Sequence, residues 1–229
     1  MWKYKRRIVP AVLAALGVAL VAYAQQLPPP REAQEAMRRH RERTRGTVTA
    51  QEALFGVLRG LGVPGGFVLS PQCEEEERQT PPGGSSLRER LDSLVAAAPQ
   101  YKWQAENGVV NVVPKSGLPA LLEACIVRFR AESVRSPGEA LVKLIETPEV
   151  REAMTRPDVG SRLFRGGVGY YDPNPEASES VKTFSVSRDN VTVREALNAI
   201  AREHGRAMWT HRQHHCRGVH AFELDFAVW

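Results

Sequence analysis

Residues 192–200 read Thr192-Val-Arg-Glu195-Ala-Leu197-Asn-Ala-Ile200. A hydroxyl residue, two spacers and a glutamate make a capping box. The hydroxyl accepts from an amide of the first helical turn, and the carboxylate reaches back to the cap amide. The glutamate also lies at the positive end of the helix dipole. Leu197, Ile200, Ala201 and His204 continue at helical spacing, which gives the helix one buried face. The same opening occurs at Thr49-Ala-Gln-Glu52-Ala-Leu54, Ser86-Leu-Arg-Glu89-Arg-Leu91 and Ser136-Pro-Gly-Glu139-Ala-Leu141. Four such starts predict four helices of similar design.

The strands are read outward from these helices. Lys182-Thr-Phe184-Ser-Val186 alternates as a half-buried strand before the Thr192 helix. Before the Ser136 helix, CIVRFRAESV places Ile126, Arg128 and Arg130 on one face and Val127, Phe129 and Ala131 on the other. Tyr101-Lys-Trp103 follows the Ser86 helix, and Ala207-Met-Trp209 follows the Thr192 helix. Ser86 and Thr192 lie 106 positions apart, as do Trp103 and Trp209, which predicts an internal duplication. Asn107-Gly108 supplies a hairpin turn, and Val109, Val110, Val112 and Val113 form the return strand, closed by Pro114. Gly60, Gly62 and Pro64 stop the first helix, and Pro148 closes the third. Residues 147–180 predict a long irregular connection with one short helix near Val150–Met154. The expected fold is α+β. Two similar small units, 47–115 and 120–229, each pack helices on a small, mainly antiparallel sheet.

FSVSRDNVTVREALNAIAREHGRAMW, with Val191, Val193, Ala196, Leu197 and Ile200 at its helix positions, resembles the short secretin and TonB N-terminal domain. SSLRERLDSLVAAAPQYKWQAENGVVNVVP is similar to the helix-plus-hairpin part of that module. The resemblance covers about a third of the chain beyond residue 24, chiefly 181–229, and rests on the spacing of apolar residues. It implies a periplasmic β-α-β type module that binds or assembles without catalysis, and it transfers no catalytic residue. Residues up to 229 include no segment read as an outer-membrane barrel or secretin pore, so the family's role as the entry of a larger machine is not expected to carry over directly.

The N-terminus reads as an address. Residues 1–7 (MWKYKRR) are basic, 8–22 are almost all apolar, and Ala22-Tyr23-Ala24 offers an A-x-A cleavage site. Residues 1–24 are the expected signal peptide. The alternative is an uncleaved anchor, but Ile8–Ala24 is only 17 residues and contains Pro10, against the roughly 17–25 residues a span needs. Residues 25–46 form a Pro- and Arg-rich linker, read as a solvated tether in preference to a nucleic-acid arm. The formal charge of +5 is carried mostly by the leader. Removing Lys3, Lys5, Arg6 and Arg7 from the 31 basic residues leaves 27 against 26 acidic ones. Neither nucleic-acid binding nor stable membrane insertion after cleavage is expected. The expected location is the periplasm or the exterior. There a disulfide is permitted, and Cys73 with Cys216 is the favoured pair, Cys125 being read as buried.

Chemistry-bearing residues concentrate in Trp209-Thr-His211-Arg-Gln-His214-His215-Cys216-Arg-Gly-Val-His220. Imidazole and thiolate suit zinc or copper, so His211, His214, Cys216 and His220 are candidate metal ligands. The cluster would also gain charge toward pH 6, as a pH-sensitive surface would. Against this, adjacent strand residues point to opposite faces, and a polar hairpin tip has the same composition. Glu74–Glu77 lacks the alternating spacing and the Gly turn of a calcium loop and reads as solvated. Arg165–Tyr171 is Gly-rich but lacks the lysine and hydroxyl of a phosphate cradle. Asn190-Val-Thr192 is a glycosylation sequon in form, with Thr192 better used as a cap. No G-x-S-x-G, H-E-x-x-H or C-x-x-C occurs. The expectation is a non-enzymatic binding or assembly module with an envelope protein partner. A metal-binding protein is the alternative, and an enzyme with a site between the halves is the lesser one. Strands 109–113 and 220–228 are the candidate partner-accepting edges.

Overall fold

The computed structural model describes residues 46–69, 78–159, 161–162, 183–216 and 219–229. In chain order the elements are α1 (Ala50–Leu61), β1 (Gly65–Leu69), α2 (Leu87–Ala97), β2 (Tyr101–Glu106), β3 (Val109–Pro114) and α3 (Ala120–Glu123). Next come β4 (Cys125–Val134), α4 (Pro137–Ile145), α5 (Pro148–Met154), β5 (Ser161–Arg162), β6 (Phe184–Thr192), α6 (Val193–His204), β7 (Ala207–Cys216) and β8 (Val219–Val228).

All four capped helices form where their caps place them. At Thr49, Ser86 and Thr192 the box is complete in both directions. At Ser136 only half of it forms. The hydroxyl accepts from the Glu139 amide at 3.2 Å, while the Glu139 carboxylate reaches one residue further, to the Arg135 amide at 2.7 Å. Pro137 occupies the first helical turn, where its missing N–H costs nothing. The short helix expected near Val150–Met154 is α5, which opens at Pro148.

The fold class is α+β, but its sheet differs from the expected pair of small ones. β2-β3-β1-β7-β8-β5 form one mixed sheet, and β4 and β6 form a separate two-stranded ribbon. β1 runs parallel to β3 on one side and to β7 on the other. The hairpins β2–β3 and β7–β8 are antiparallel, and the short β5 pairs parallel with β8. The segments expected as two units, 47–115 and 120–229, therefore share one mixed sheet, whose longest ladder, β7–β8, is antiparallel. The cause is β1, Gly-Gly-Phe-Val-Leu, a strand beyond the Gly60, Gly62 and Pro64 stop that is not among the strands expected from the sequence. Its five residues are all buried, the pattern of a strand covered on both faces.

One sheet face packs Phe67, Tyr101, Val110, Val112 and Met208 against Leu54 and Leu58 of α1 and Leu91 and Leu94 of α2. The other packs Val68, Val113, Trp209, Phe222, Leu224 and Phe226 against α6, α3–α5 and the ribbon. A bulge between Ala131 and Val134, with Ser133 at φ 51°, returns Val134 to the buried side of β4. Cys125, expected to be buried, is an exposed free thiol, because Ile126 takes the inward position where β4 begins. Cys73 and the Cys216 side chain lie outside the described residues, and with them the expected bridge. So do the signal peptide 1–24 and nearly all of the linker 25–46.

Candidate functional site

The His-rich stretch builds most of β7. Its register with β8 pairs His211 with Leu224, Arg212 with Glu223, His214 with Ala221, His215 with His220 and Cys216 with Val219. His211 and His214 stand three positions apart on one strand, so their side chains leave opposite faces. His211 has no exposed surface, and its ring stacks on Phe222 with centroids 5.8 Å apart and planes 11° apart. Neither ring nitrogen has a hydrogen-bond partner among the described residues. Burial pushes its pKa down to about 4, so it is a neutral core residue near pH 7. On the opposite face, His214 Nε2 lies 3.4 Å from Glu223 Oε1, and the adjacent Arg212 donates from Nη2 to Gln51 Oε1 of α1 at 3.1 Å. The candidate ligand set His211, His214, Cys216 and His220 thus cannot close on one ion as a foursome. The His215, Cys216 and His220 side chains lie outside the described residues. Among the described residues no three potential ligands gather.

The tryptophans matched in sequence share a contact that spacing alone does not reveal. Trp209 donates from Nε1 to Asn198 Oδ1 at 2.8 Å, and Trp103 donates from Nε1 to Asp92 Oδ1 at 2.8 Å. Each acceptor lies 11 positions upstream, six residues past the cap of the preceding helix. Their burial differs. Trp209 is fully buried in the sheet interior, whereas Trp103 is only partly covered on β2. Gly66, the neighbour of Trp209 on β1, lies directly under the indole, and a Cβ there would fall within the ring. On its other side Gly66 pairs with Asn111, which is fully buried with neither amide atom hydrogen-bonded among the described residues.

Of the two edges expected from the sequence, 109–113 is interior, while 220–228 is covered by β5 only at Ala221 and Phe222 among the described residues. β3 (109–114) lies between β2 and β1, and β8 (219–228) pairs with β7 along its length and with the two-residue β5 on its other side. Among the described residues β2 is the edge strand at the other end of the sheet. The signal was present in the hairpin itself. β3 is buried at all six positions, as an interior strand is, while β2 mixes buried, half-buried and exposed residues. The turn between them is a two-residue loop with Asn107 at φ 50° and Gly108 at φ 79°. It closes the ladder at Glu106 and Val109, a hydrogen-bonded pair. Alternation then directs the N–H and C=O of Trp103 and Ala105 away from β3. The Val110 amide fits this phase, since it turns from Ala105 to donate to the Pro64 carbonyl at 3.1 Å. Lys102, Gln104 and Glu106 share one face, where Glu106 Oε2 accepts from Arg194 Nη1 of α6 at 2.8 Å.

Glu74–Glu77 and Arg165–Tyr171 lie outside the described residues. Thr192 is the α6 cap, as its position implies. Compared with protein-family models, with curated proteins and with solved structures, the chain matches none.

Proposed function

We propose that this protein is a non-catalytic extracytoplasmic binding module that accepts a partner strand along β2. The observation that carries the proposal is the outward set of backbone groups on Trp103 and Ala105, at the end of the sheet where no described strand pairs with the outer side of β2; at the other end β5 covers only Ala221 and Phe222 of β8. Such groups form the main-chain half of strand addition, and side chains at alternate positions supply selectivity. Trp103 adds a half-covered aromatic surface held in one orientation by Asp92. The basic start, apolar run and A-x-A site of residues 1–24 support export to the periplasm or the exterior. The order β6–α6–β7–β8 supports kinship with the secretin and TonB N-terminal module, whose members bind rather than catalyse.

Ala105→Pro tests the docking edge. It deletes an outward N–H and leaves the β2–β3 ladder donors in place, a substitution edge strands tolerate. A photo-crosslinking residue at position 104 should trap a neighbouring strand in intact cells, and Ala105→Pro should abolish the trapping while the far-ultraviolet dichroism is unchanged. Undiminished trapping would reject β2 as the docking edge. N-terminal sequencing of the exported chain should start at Gln25, and recovery of an intact Met1 would reject cleavage.

A further inference from the structure

We propose that the strand accepted by β2 is a second copy of β2, antiparallel to the first and related to it by a twofold axis at Gln104. The proposal takes β2 as the docking edge, as above. Along β2, and among the described residues, only Trp103 and Ala105 offer both an outward N–H and an outward C=O, since the Tyr101 amide donates to the Ala98 carbonyl at 3.0 Å. Antiparallel self-pairing then has three registers. Trp103 may not face both residues at once, so it faces its own copy, or Ala105 faces its own copy, or Trp103 faces Ala105. The first sets Lys102 opposite Gln104, and the second sets Glu106 opposite Gln104. The third sets Gln104 opposite Gln104 and each Lys102 opposite the partner's Glu106, so it alone makes two charge pairs.

Three features favour that register. Lys102 is exposed, and its side chain has no hydrogen bond or ion pair among the described residues. Glu106 spends Oε2 on Arg194 and keeps Oε1 for a second cation. Ala105 is small and exposed, so the partner's Trp103 indole can lie against it. A lysine on an edge strand ordinarily repels a neighbour. Here it excludes the two registers without a glutamate opposite and stabilises the one with it. The two sheets would join into one continuous sheet through four main-chain hydrogen bonds, two from each Trp103–Ala105 pair.

The test is mass measurement by analytical ultracentrifugation of the full chain as the host processes it, in wild type and three variants. Wild type should dimerise. Lys102→Glu sets Glu against Glu twice, and Glu106→Lys sets Lys against Lys twice, so each alone should weaken the dimer about tenfold or more. Mixing these two variants should restore a dimer containing one chain of each, because both cross-strand pairs are then opposite in sign. Ala105→Pro should be monomeric with the wild-type dichroism spectrum. A wild-type monomer overturns the second-copy proposal. If the position-104 crosslinker still traps another strand in that case, β2 remains the docking edge for a different partner. A wild-type dimer indifferent to Ala105→Pro, or variants that fail to rescue each other on mixing, also overturns the proposal.

Discussion

Trp209 and Asn198 are joined by a 2.8 Å hydrogen bond, indole Nε1 to side-chain Oδ1, inside the layer between the sheet and α6. Trp103 and Asp92 repeat the contact at the same spacing, but at an exposed site. The cost of breaking each bond depends on whether water can replace the acceptor. Asn198→Leu leaves a buried indole N–H unpaired and should lower stability by about 1–3 kcal/mol. Asp92→Ala exposes its indole N–H to solvent and should cost under about 1 kcal/mol. Urea unfolding followed by tryptophan fluorescence measures both, and equal losses would contradict the difference in burial.

Gly66 has no side chain because the Trp209 ring occupies that space. Gly66→Ala should destabilise by about 3 kcal/mol or more through overpacking. With Trp209→Leu in the same chain, the combined loss should fall short of the sum of the single losses, since the collision is gone. Strict additivity in denaturant midpoints would show that the two positions do not touch.

His211 couples the core to pH. Its pKa is about 4 in the folded chain, against 6.5 for the ordinary residue, because burial opposes the charged ring. Between those values the unfolded chain binds the extra proton. Stability is therefore complete above pH 6.5 and declines as pH falls toward 4, by about 3 kcal/mol in all. His211→Leu should remove this component, flattening the stability curve between pH 6.5 and 5 relative to wild type. An unchanged slope in thermal melts across that range would place the titration elsewhere.

Asn111 is fully buried with its amide unpaired among the described residues. Removing an unsatisfied amide while keeping a β-favouring side chain should help. Asn111→Val is expected to gain about 1 kcal/mol. A loss of stability in calorimetry would show instead that the amide holds a bound water or ligand in the native protein.

The local devices were legible before the fold was. Thr49, Ser86, Ser136 and Thr192 each start the helix they announce, and Asn107-Gly108 makes the turn. The spacing equates Trp103 with Trp209, but the hydrogen bonds to Asp92 and Asn198 are visible only in the structure. Two readings failed because they needed long-range partners. Strand 109–113 reads as an edge because nothing local shows β1 beside it. Cys125 reads as buried because an apolar neighbourhood does not reveal which residue of a strand points inward.

Capping, turn formation and strand alternation are settled by atoms a few residues apart, so the chain alone determined the helices, the hairpins and the α+β class. Only the tertiary structure decided that β1 enters between two hairpins and makes one sheet of two expected halves. That choice depends on covering both faces of five apolar residues at once, and the residues that cover them come from distant parts of the chain. The same closure sealed Trp209 and His211 inside and left β2 at the rim.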